Sequence, residues 1–135
     1  GKYAFAVLNN KYGVIDRDGQ YIVFPTYKAI TGFEAGLFRV QDTLDHWGFI
    51  NTTGQAVIPI QYEQVSAPKE GYITYKTEGK WGVLDTAGAP VVTPRYEGEI
   101  RIVGHGLFAV YDLSADLVGY ISFYGTQYWF TEGED

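Results

Sequence analysis

At 135 residues, with hydrophobic side chains at 46% and aromatic ones at 17%, the chain has the size of one domain and enough apolar material to exclude a disordered class. A net charge of −6, with only ten Lys and Arg scattered along the length, repels phosphate backbones and anionic lipid surfaces, so neither nucleic-acid binding nor membrane insertion is expected. The absence of Cys excludes disulfides, thiolate chemistry and Cys-based zinc sites, and no apolar run approaches the roughly 20 residues a spanning helix needs.

In chain order, the first predicted strand is "YAFAVL" (3–8), followed by "KYGVID" (11–16), a turn at "DRDG", a strand at "YIVFP" (21–25) and a connector "KAITGFEA". The order then recurs. "LFRVQD" (37–42) leads to "HWGFIN" (46–51), the turn "NTTG", the strand "AVIPI" (56–60) and the connector "EQVSAPKE". "YITYKT" (72–77) leads to "KWGVLD" (80–85), "DTAG", "PVVTP" (90–94) and "EGEIRIVGH". A fourth pass runs "LFAVYD", "LVGYIS", "SFYG" and "QYWF".

Each pass predicts three strands, here A, B and C, and a connector. Glycines mark the repeat: Gly1, Gly36, Gly71 and Gly106 stand 35 residues apart, Gly13, Gly48, Gly82 and Gly119 sit inside strand B, and Gly19, Gly54, Gly88 and Gly125 close the B–C turn. Tyr27, Tyr62 and Tyr96 follow strand C. A period of this length predicts tandem structural units. The expected fold is all-β: four repeats (1–35, 36–70, 71–105, 106–135) of three-stranded antiparallel meanders in a single domain, 1–135. The array would close as a small propeller or rolled barrel, or run on as an open solenoid cut from a longer array.

Alternation in strand A assigns Tyr3, Phe38, Ile73 and Phe108, then Phe5, Val40, Tyr75 and Val110, to the core. It turns Ala4, Arg39, Thr74 and Ala109, then Ala6, Gln41, Lys76 and Tyr111, outward. Strand B is apolar on both faces, as at Trp47, Phe49 and Ile50, and is expected to be central and covered on both sides. A Gly within a strand costs roughly 0.5–1 kcal/mol relative to Ala. The pairs Tyr12–Gly13, Trp47–Gly48 and Trp81–Gly82, and Gly119, are therefore read as a packing device in which Gly makes room for an aromatic ring of a neighbouring strand or unit. Asp16, Asn51 and Asp85 are expected to form turns by bonding their own backbone. Pro25, Pro59 and Pro94 make strand C an edge strand, or end it.

The segments "HWGFINTTGQAVIPIQY" (46–62), "KWGVLDTAGAPVVTPRY" (80–96) and "KYGVIDRDGQYIVFPTY" (11–27), the last with Tyr12 for Trp, resemble the WG-repeat (KWG-repeat) family of bacteria. The fourth pass departs from the pattern, with Val118 in the Trp column and no Pro in its last strand. The resemblance implies a non-catalytic β module of a longer, often surface-associated protein, and carries no general activity with it. The opening "GKYAFAV", without Met, reads as a mature or trimmed piece. An extracellular, periplasmic or cell-surface location is expected, with the cytoplasm as the alternative.

Little catalytic chemistry is legible. His46 and His105 have no metal-ligand spacing, "DRDGQ" lacks the remaining ligands of a calcium loop, "DTAG" breaks the aspartic-protease turn, and no nucleophile elbow or phosphate loop occurs. Neither enzymatic activity, a metal nor a cofactor is expected. The expected function is binding or scaffolding: a protein or peptide partner read by Arg39, Gln41, Thr74, Lys76 and Tyr111 on the variable face. Carbohydrate binding by exposed aromatics, Trp129 within "YWF" (128–130) foremost, is the alternative, and a ligand-free spacer the third reading.

Overall fold

A computed structural model describes residues 2–131. Gly1, the first of the 35-residue Gly column, and most of the "TEGED" tail (132–135) lie outside them. Among the described residues there are strands and turns and no helix. Two compact units follow one another, Gly1–Ala67 and Pro68–Asp135.

The first unit holds β1 (Tyr3–Leu8), β2 (Lys11–Asp16), β3 (Tyr21–Tyr27), β4 (Ala29–Glu34), β5 (Leu37–Gln41), β6 (Trp47–Ile50), β7 (Ala56–Tyr62) and β8 (Gln64–Val65). Two antiparallel sheets form, in the orders β1-β2-β3 and β4-β5-β6-β7. Val14 of the first sheet shares a core with Ile30, Phe38, Val40 and Ile50 of the second, flanked by Tyr3, Tyr12, Val23, Tyr27 and Ile60. One face of each sheet is therefore stacked on the other.

The second unit holds β9 (Tyr72–Thr77), β10 (Lys80–Asp85), β11 (Pro90–Tyr96), β12 (Ile100–Gly104), β13 (Leu107–Tyr111), β14 (Leu117–Ser122) and β15 (Gln127–Trp129). Strand β10 lies between β9 and β11, and the other sheet runs β12-β13-β14-β15. Val83 and Val92 of the first of these sheets pack with Ile100, Ile102, Phe108, Val110 and Ile121 of the second. The all-β fold of tandem antiparallel sheets is thus present, and among the described residues no sheet closes into a barrel.

Three details differ from the expectation, each for a physical reason. First, the connectors are not merely links. They supply β4, β8 and β12, and β4 and β12 add a fourth strand beside the next strand A, pairing Ile30 with Val40 and Ile100 with Val110. The alternation "EIRIV" and the apolar "AI" of the connectors carry strand chemistry.

Second, strand A of the first repeat is out of step by one residue. Val40, Tyr75 and Val110 lie opposite the strand-B Gly, but in β1 that place belongs to Ala6, with Phe5 opposite Val14. The cause is the turn. Asn9 and Asn10 both take positive φ, 53° and 62°, giving a two-residue hairpin in which Leu8 pairs Lys11, whereas β5 and β6 are joined through the longer 42–46 loop; β9 and β10 share the two-residue form, with Thr77 paired to Lys80, and stay in step because the stretch from Gly71 to Gly82 is one residue shorter than that from Gly1 to Gly13. Turn length fixes register, and a slip of one residue exchanges the faces. Ala4 and Ala6, not Tyr3 and Phe5, therefore share the face of Phe38 and Val40, and Phe5 is 46% exposed.

Third, strand C is the edge strand that its Pro predicted, but it does not end at the Pro: it runs through and arches there. Between Tyr12↔Tyr27 and Val14↔Val23 the third strand spends two residues more than the second. The same bulge recurs at Trp47↔Tyr62 and Phe49↔Ile58, and at Trp81↔Tyr96 and Val83↔Val92. Each bulge contains the Pro, where the lost N–H costs no ladder bond. The strand-B Gly lies beneath it. A Cβ on Gly13 would come 2.3 Å from the Val23 carbonyl oxygen, and one on Gly48 2.6 Å from that of Ile58. The expected ring is found in part: the Tyr75 ring also approaches Gly82, and the Trp129 ring and the Tyr128 carbonyl share the space over Gly119. The main reason for the Gly is close approach of backbone.

Candidate functional site

The expected variable face is not an open surface. Thr74 is 2% exposed and Ala109 3%, which corrects their assignment to solvent or a partner. Arg39 is half-buried and committed to its own unit. Its Nε donates to Thr31 Oγ1 at 2.8 Å, its Nη1 to the Val65 carbonyl at 3.3 Å, and the guanidinium lies 5.9 Å from the centre of the Trp47 ring. Gln41, Lys76 and Tyr111 are half-buried, opposite Trp47, Trp81 and Leu117 respectively. Arg101 covers Tyr111, 4.6 Å from the ring centre, while its Nε donates to Glu99 at 2.7 Å, the contact that chiefly raises its pKa. The connector strands account for two of these positions: Thr31 of β4 accepts from Arg39, and Arg101 of β12 covers Tyr111.

Trp129 is 44% exposed. One side of its ring covers Gly119, its centre is 6.0 Å from that of Tyr96, and its Nε1 donates to Gln127 at 3.0 Å. Tyr128 and Phe130 remain exposed. The signature residues Tyr12, Trp47 and Trp81 are half-buried, Tyr12 and Trp81 against the cores, and Gly13, Gly48, Gly82 and Gly119 are buried.

The turn formers behave as expected. Asp16 Oδ1 accepts from the amides of Asp18 and Gln20 at 2.9 Å each, and Asn51 and Asp85 repeat the pattern. Asp42 and Asp112 build the same turn in the longer A–B loops, a use of "DTLDH" and "DLSAD" that the sequence reading missed. His46 stands at a loop end with Nδ1 3.6 Å from Asp42. Among the described residues no group of three His, Asp or Glu is placed to hold a metal ion.

Among the described residues, surfaces appear that the sequence reading did not single out, and one in each unit bears on function. In the first unit, Lys2, Tyr3, Phe5, Phe33 and Phe38 line an apolar notch of about 220 Å³. The Phe33 and Phe38 rings stack at 4.4 Å, and Tyr3 meets Phe38 edge-on at 5.6 Å. The notch abuts β1, where Phe5, Val7 and Leu8 are 46%, 61% and 46% exposed. In the second unit, Glu70, Tyr72, His105, Gly106, Phe123 and Tyr124 line a more polar cleft of about 410 Å³. Placing Phe5 in the core hid the first surface. The second is assembled from three separate turns, which no spacing announces.

No curated protein matched the chain. The family model described as "WG containing repeat" matches residues 12–42 and 47–81, the stretches that carry Tyr12–Gly13, Trp47–Gly48 and the strand that leads into Trp81. With the arched third strand seated on each of those glycines, sequence pattern and structure coincide, and the chain belongs to the WG-repeat family.

Proposed function

We propose that this chain is a non-catalytic binding or scaffolding module that recognises a protein or peptide partner, as part of an envelope or extracellular bacterial protein. The observation that carries the reading is the surface of the first unit, where Phe5, Val7 and Leu8 stand exposed beside the aromatic notch. Contiguous exposed apolar side chains next to a concave apolar site mark interaction surfaces more often than solvated ones. The partner is read there, not by the Arg39–Lys76 column, whose members are engaged within the fold.

Panning a library of displayed random peptides against the chain tests this, with the Phe5→Ser, Val7→Ser double variant as the counter-target. Peptides that bind the native chain and not the variant are expected. A library that enriches nothing over the variant overturns the reading.

A second reading, carbohydrate binding, draws support from the polar cleft, where the rings of Tyr72, Phe123 and Tyr124 stand beside Glu70 and His105, and from the half-exposed Trp129. A soluble glycan at about 100 times its Kd adds about 2.7 kcal/mol of stability. Thermal unfolding against a glycan panel therefore detects it, and a flat panel removes it.

A further inference from the structure

The B–C turn of the fourth repeat, Ser122 to Gly125, departs from its three counterparts in chemistry and not in form. The Thr126 amide donates to Ser122 Oγ at 3.1 Å, as the equivalent amides do to Asp16, Asn51 and Asp85, and the Gly125 amide donates to the Ser122 carbonyl at 2.9 Å. The two residues between are Arg17–Asp18, Thr52–Thr53 and Thr86–Ala87 in the first three copies and Phe123–Tyr124 in the fourth. Polar or small pairs close the same turn three times, so nothing in its folding asks for two rings. Tyr124 is nevertheless 90% exposed and Phe123 47%. The position of Tyr124 is open in every copy: Thr53 and Ala87 are each followed by a further repeat and are exposed all the same.

The two rings belong to the polar cleft of the second unit. The Phe123 amide donates to the Gly106 carbonyl at 2.6 Å, which ties this turn to the one that opens β13. Tyr72 is held edge-on against buried Phe108, Phe123 lies 6.1 Å from Tyr72, and Tyr124 stands nearly perpendicular to Phe123 at 5.3 Å. Glu70 lines the same cleft. It takes a φ of 50° in the two-residue turn before β9, a place where Gly or Asn is the unstrained choice, so that turn does not ask for a glutamate either. A Cβ on Gly104 would run into the Glu70 carboxylate, and the glycine thereby leaves the carboxylate its room. Among the described residues this carboxylate has neither a hydrogen bond nor an ion pair.

We propose, building on the carbohydrate reading above, that this cleft takes an amino sugar, its ring stacked on Tyr124 and its ammonium group held by Glu70. A sugar has an apolar C–H face and a polar rim, and a wall of rings beside a carboxylate and the His105 imidazole meets both. Glu70 then selects among sugars. An ionised carboxylate only accepts hydrogen bonds. It repels uronic and sulfated sugars, as does the net charge of −6, and it attracts an ammonium, which the negative faces of Tyr and Phe rings also favour. The far side of the same turn has the opposite sign: Thr93 and Arg95 border a hollow of about 270 Å³ there. An ammonium is repelled by Arg95, so the amine-bearing residue sits on the Glu70 side and neutral hydroxyls face Arg95.

The test uses the full chain and the β-1,4-linked trimers of glucosamine, N-acetylglucosamine and glucose, which share one backbone and differ at C2 in carrying an ammonium, an acetamide or a hydroxyl. Affinities are measured by titration calorimetry at a pH that keeps the sugar amines protonated, for the native chain, Glu70→Gln and Tyr124→Thr. Thr is the residue that the second repeat places at the turn position of Tyr124, so the fold accepts it there. The glucosamine trimer is expected to bind about fivefold or more tightly than the glucose trimer. Glu70→Gln should cut that advantage by about threefold and leave the glucose trimer unchanged, and Tyr124→Thr should weaken all binding by about fivefold. An advantage that Glu70→Gln leaves intact overturns the proposal, since the amine is then held elsewhere, and so does a glucosamine trimer indifferent to Tyr124→Thr. Equal binding of the three trimers, lost in Tyr124→Thr, also overturns it, and the carbohydrate reading then survives without the amine. If none of the trimers binds, the proposal falls, and the broader reading stands or falls with the glycan panel.

Discussion

Tyr3 and Tyr72 occupy the same place in the two units. Each begins a strand A, each lies opposite the Asp that opens the B–C turn, and each meets a buried Phe edge-on, Tyr3 against Phe38 at 5.6 Å and Tyr72 against Phe108 at 5.0 Å. Two residues further on the units part. In β1 stands Phe5, 46% exposed, and in β9 stands Thr74, 2% exposed. Both positions lie opposite the valine after the strand-B Gly, Val14 and Val83, and both valines are at 0%. The central strand is thus finished by the meander and the sheet stacked on it, whereas strand A is not. The difference teaches that the repeat consists of two separable parts: a B–C core that any copy completes, and a strand A whose burial depends on what lies beyond it.

Exchanging the two residues breaks that comparison most severely. Thr74→Phe forces a ring into a site closed on all sides, and overpacking of a buried position costs roughly 1–3 kcal/mol or more. A destabilisation of about 3 kcal/mol is expected in urea unfolding, with the Thr hydroxyl's partner lost as well. Phe5→Thr removes a half-exposed ring and is expected to cost about 1 kcal/mol or less. Equal costs at the two positions would mean that β1 is as enclosed as β9, and the division of the repeat would fail.

A smaller effect sharpens what the two units share. Gly13 and Gly82 are equivalent, and the obstacle to a side chain at each is the arched third strand: the Val23 carbonyl at 2.3 Å from a Cβ on Gly13, the Val92 carbonyl at 2.6 Å from one on Gly82. Backbone in a ladder yields less readily than a side chain. Gly13→Ala and Gly82→Ala are each expected to destabilise by about 2 kcal/mol, Gly13→Ala the more. A loss under about 0.5 kcal/mol at either would show that the bulge slides, and the Gly column would need another explanation.

The B–C part of the repeat was legible in the sequence because its constraints are local. The turns at Asp16, Asn51 and Asp85 bond their own backbone, Gly19, Gly54 and Gly88 take the left-handed φ of 80°, 83° and 91°, and an apolar strand B must be central. The core columns of strand A were legible in three copies and misread in the first. Column alignment carried the spacing of Gly36 to Gly48 onto Gly13, but Asn9–Asn10 closes a shorter hairpin than 42–46 does. The signal was present, since paired Asn residues tolerate the left-handed region of a two-residue turn. The candidate surface was less legible. Alternation tells which side chains leave a sheet, not whether another strand follows, so Arg39 and Thr74 were turned toward a partner that the fold itself supplies. The strand character of "AITGFE", with a Gly in its middle and a bulge between Ile30 and Phe33, emerges only when β5 is there to pair with it.

The smallest expected effect concerns Tyr27, which closes the first arch opposite Tyr12 and flanks the first unit's core. Burial, and then the charge of Asp42, raise its pKa above the ordinary phenol value of 10.0. Between that value and the higher one of the folded state, the unfolded chain releases the Tyr27 proton and the folded chain keeps it. The unfolded state then binds fewer protons, so stability falls as pH rises through this window, while below pH 10 the group leaves stability unchanged. Tyr27→Phe keeps the ring in place and removes the proton. In urea titrations the native chain should lose stability as the pH rises above the ordinary phenol value of 10.0, and the variant should lose less over the same range. Because Asp42 opens the A–B loop of the second repeat, Asp42→Asn should remove part of the same slope, even though the two residues belong to successive repeats. Parallel slopes for the native chain and Tyr27→Phe would mean that the phenol is as free in the folded chain as in the unfolded one, and that the first arch is not held closed at its end.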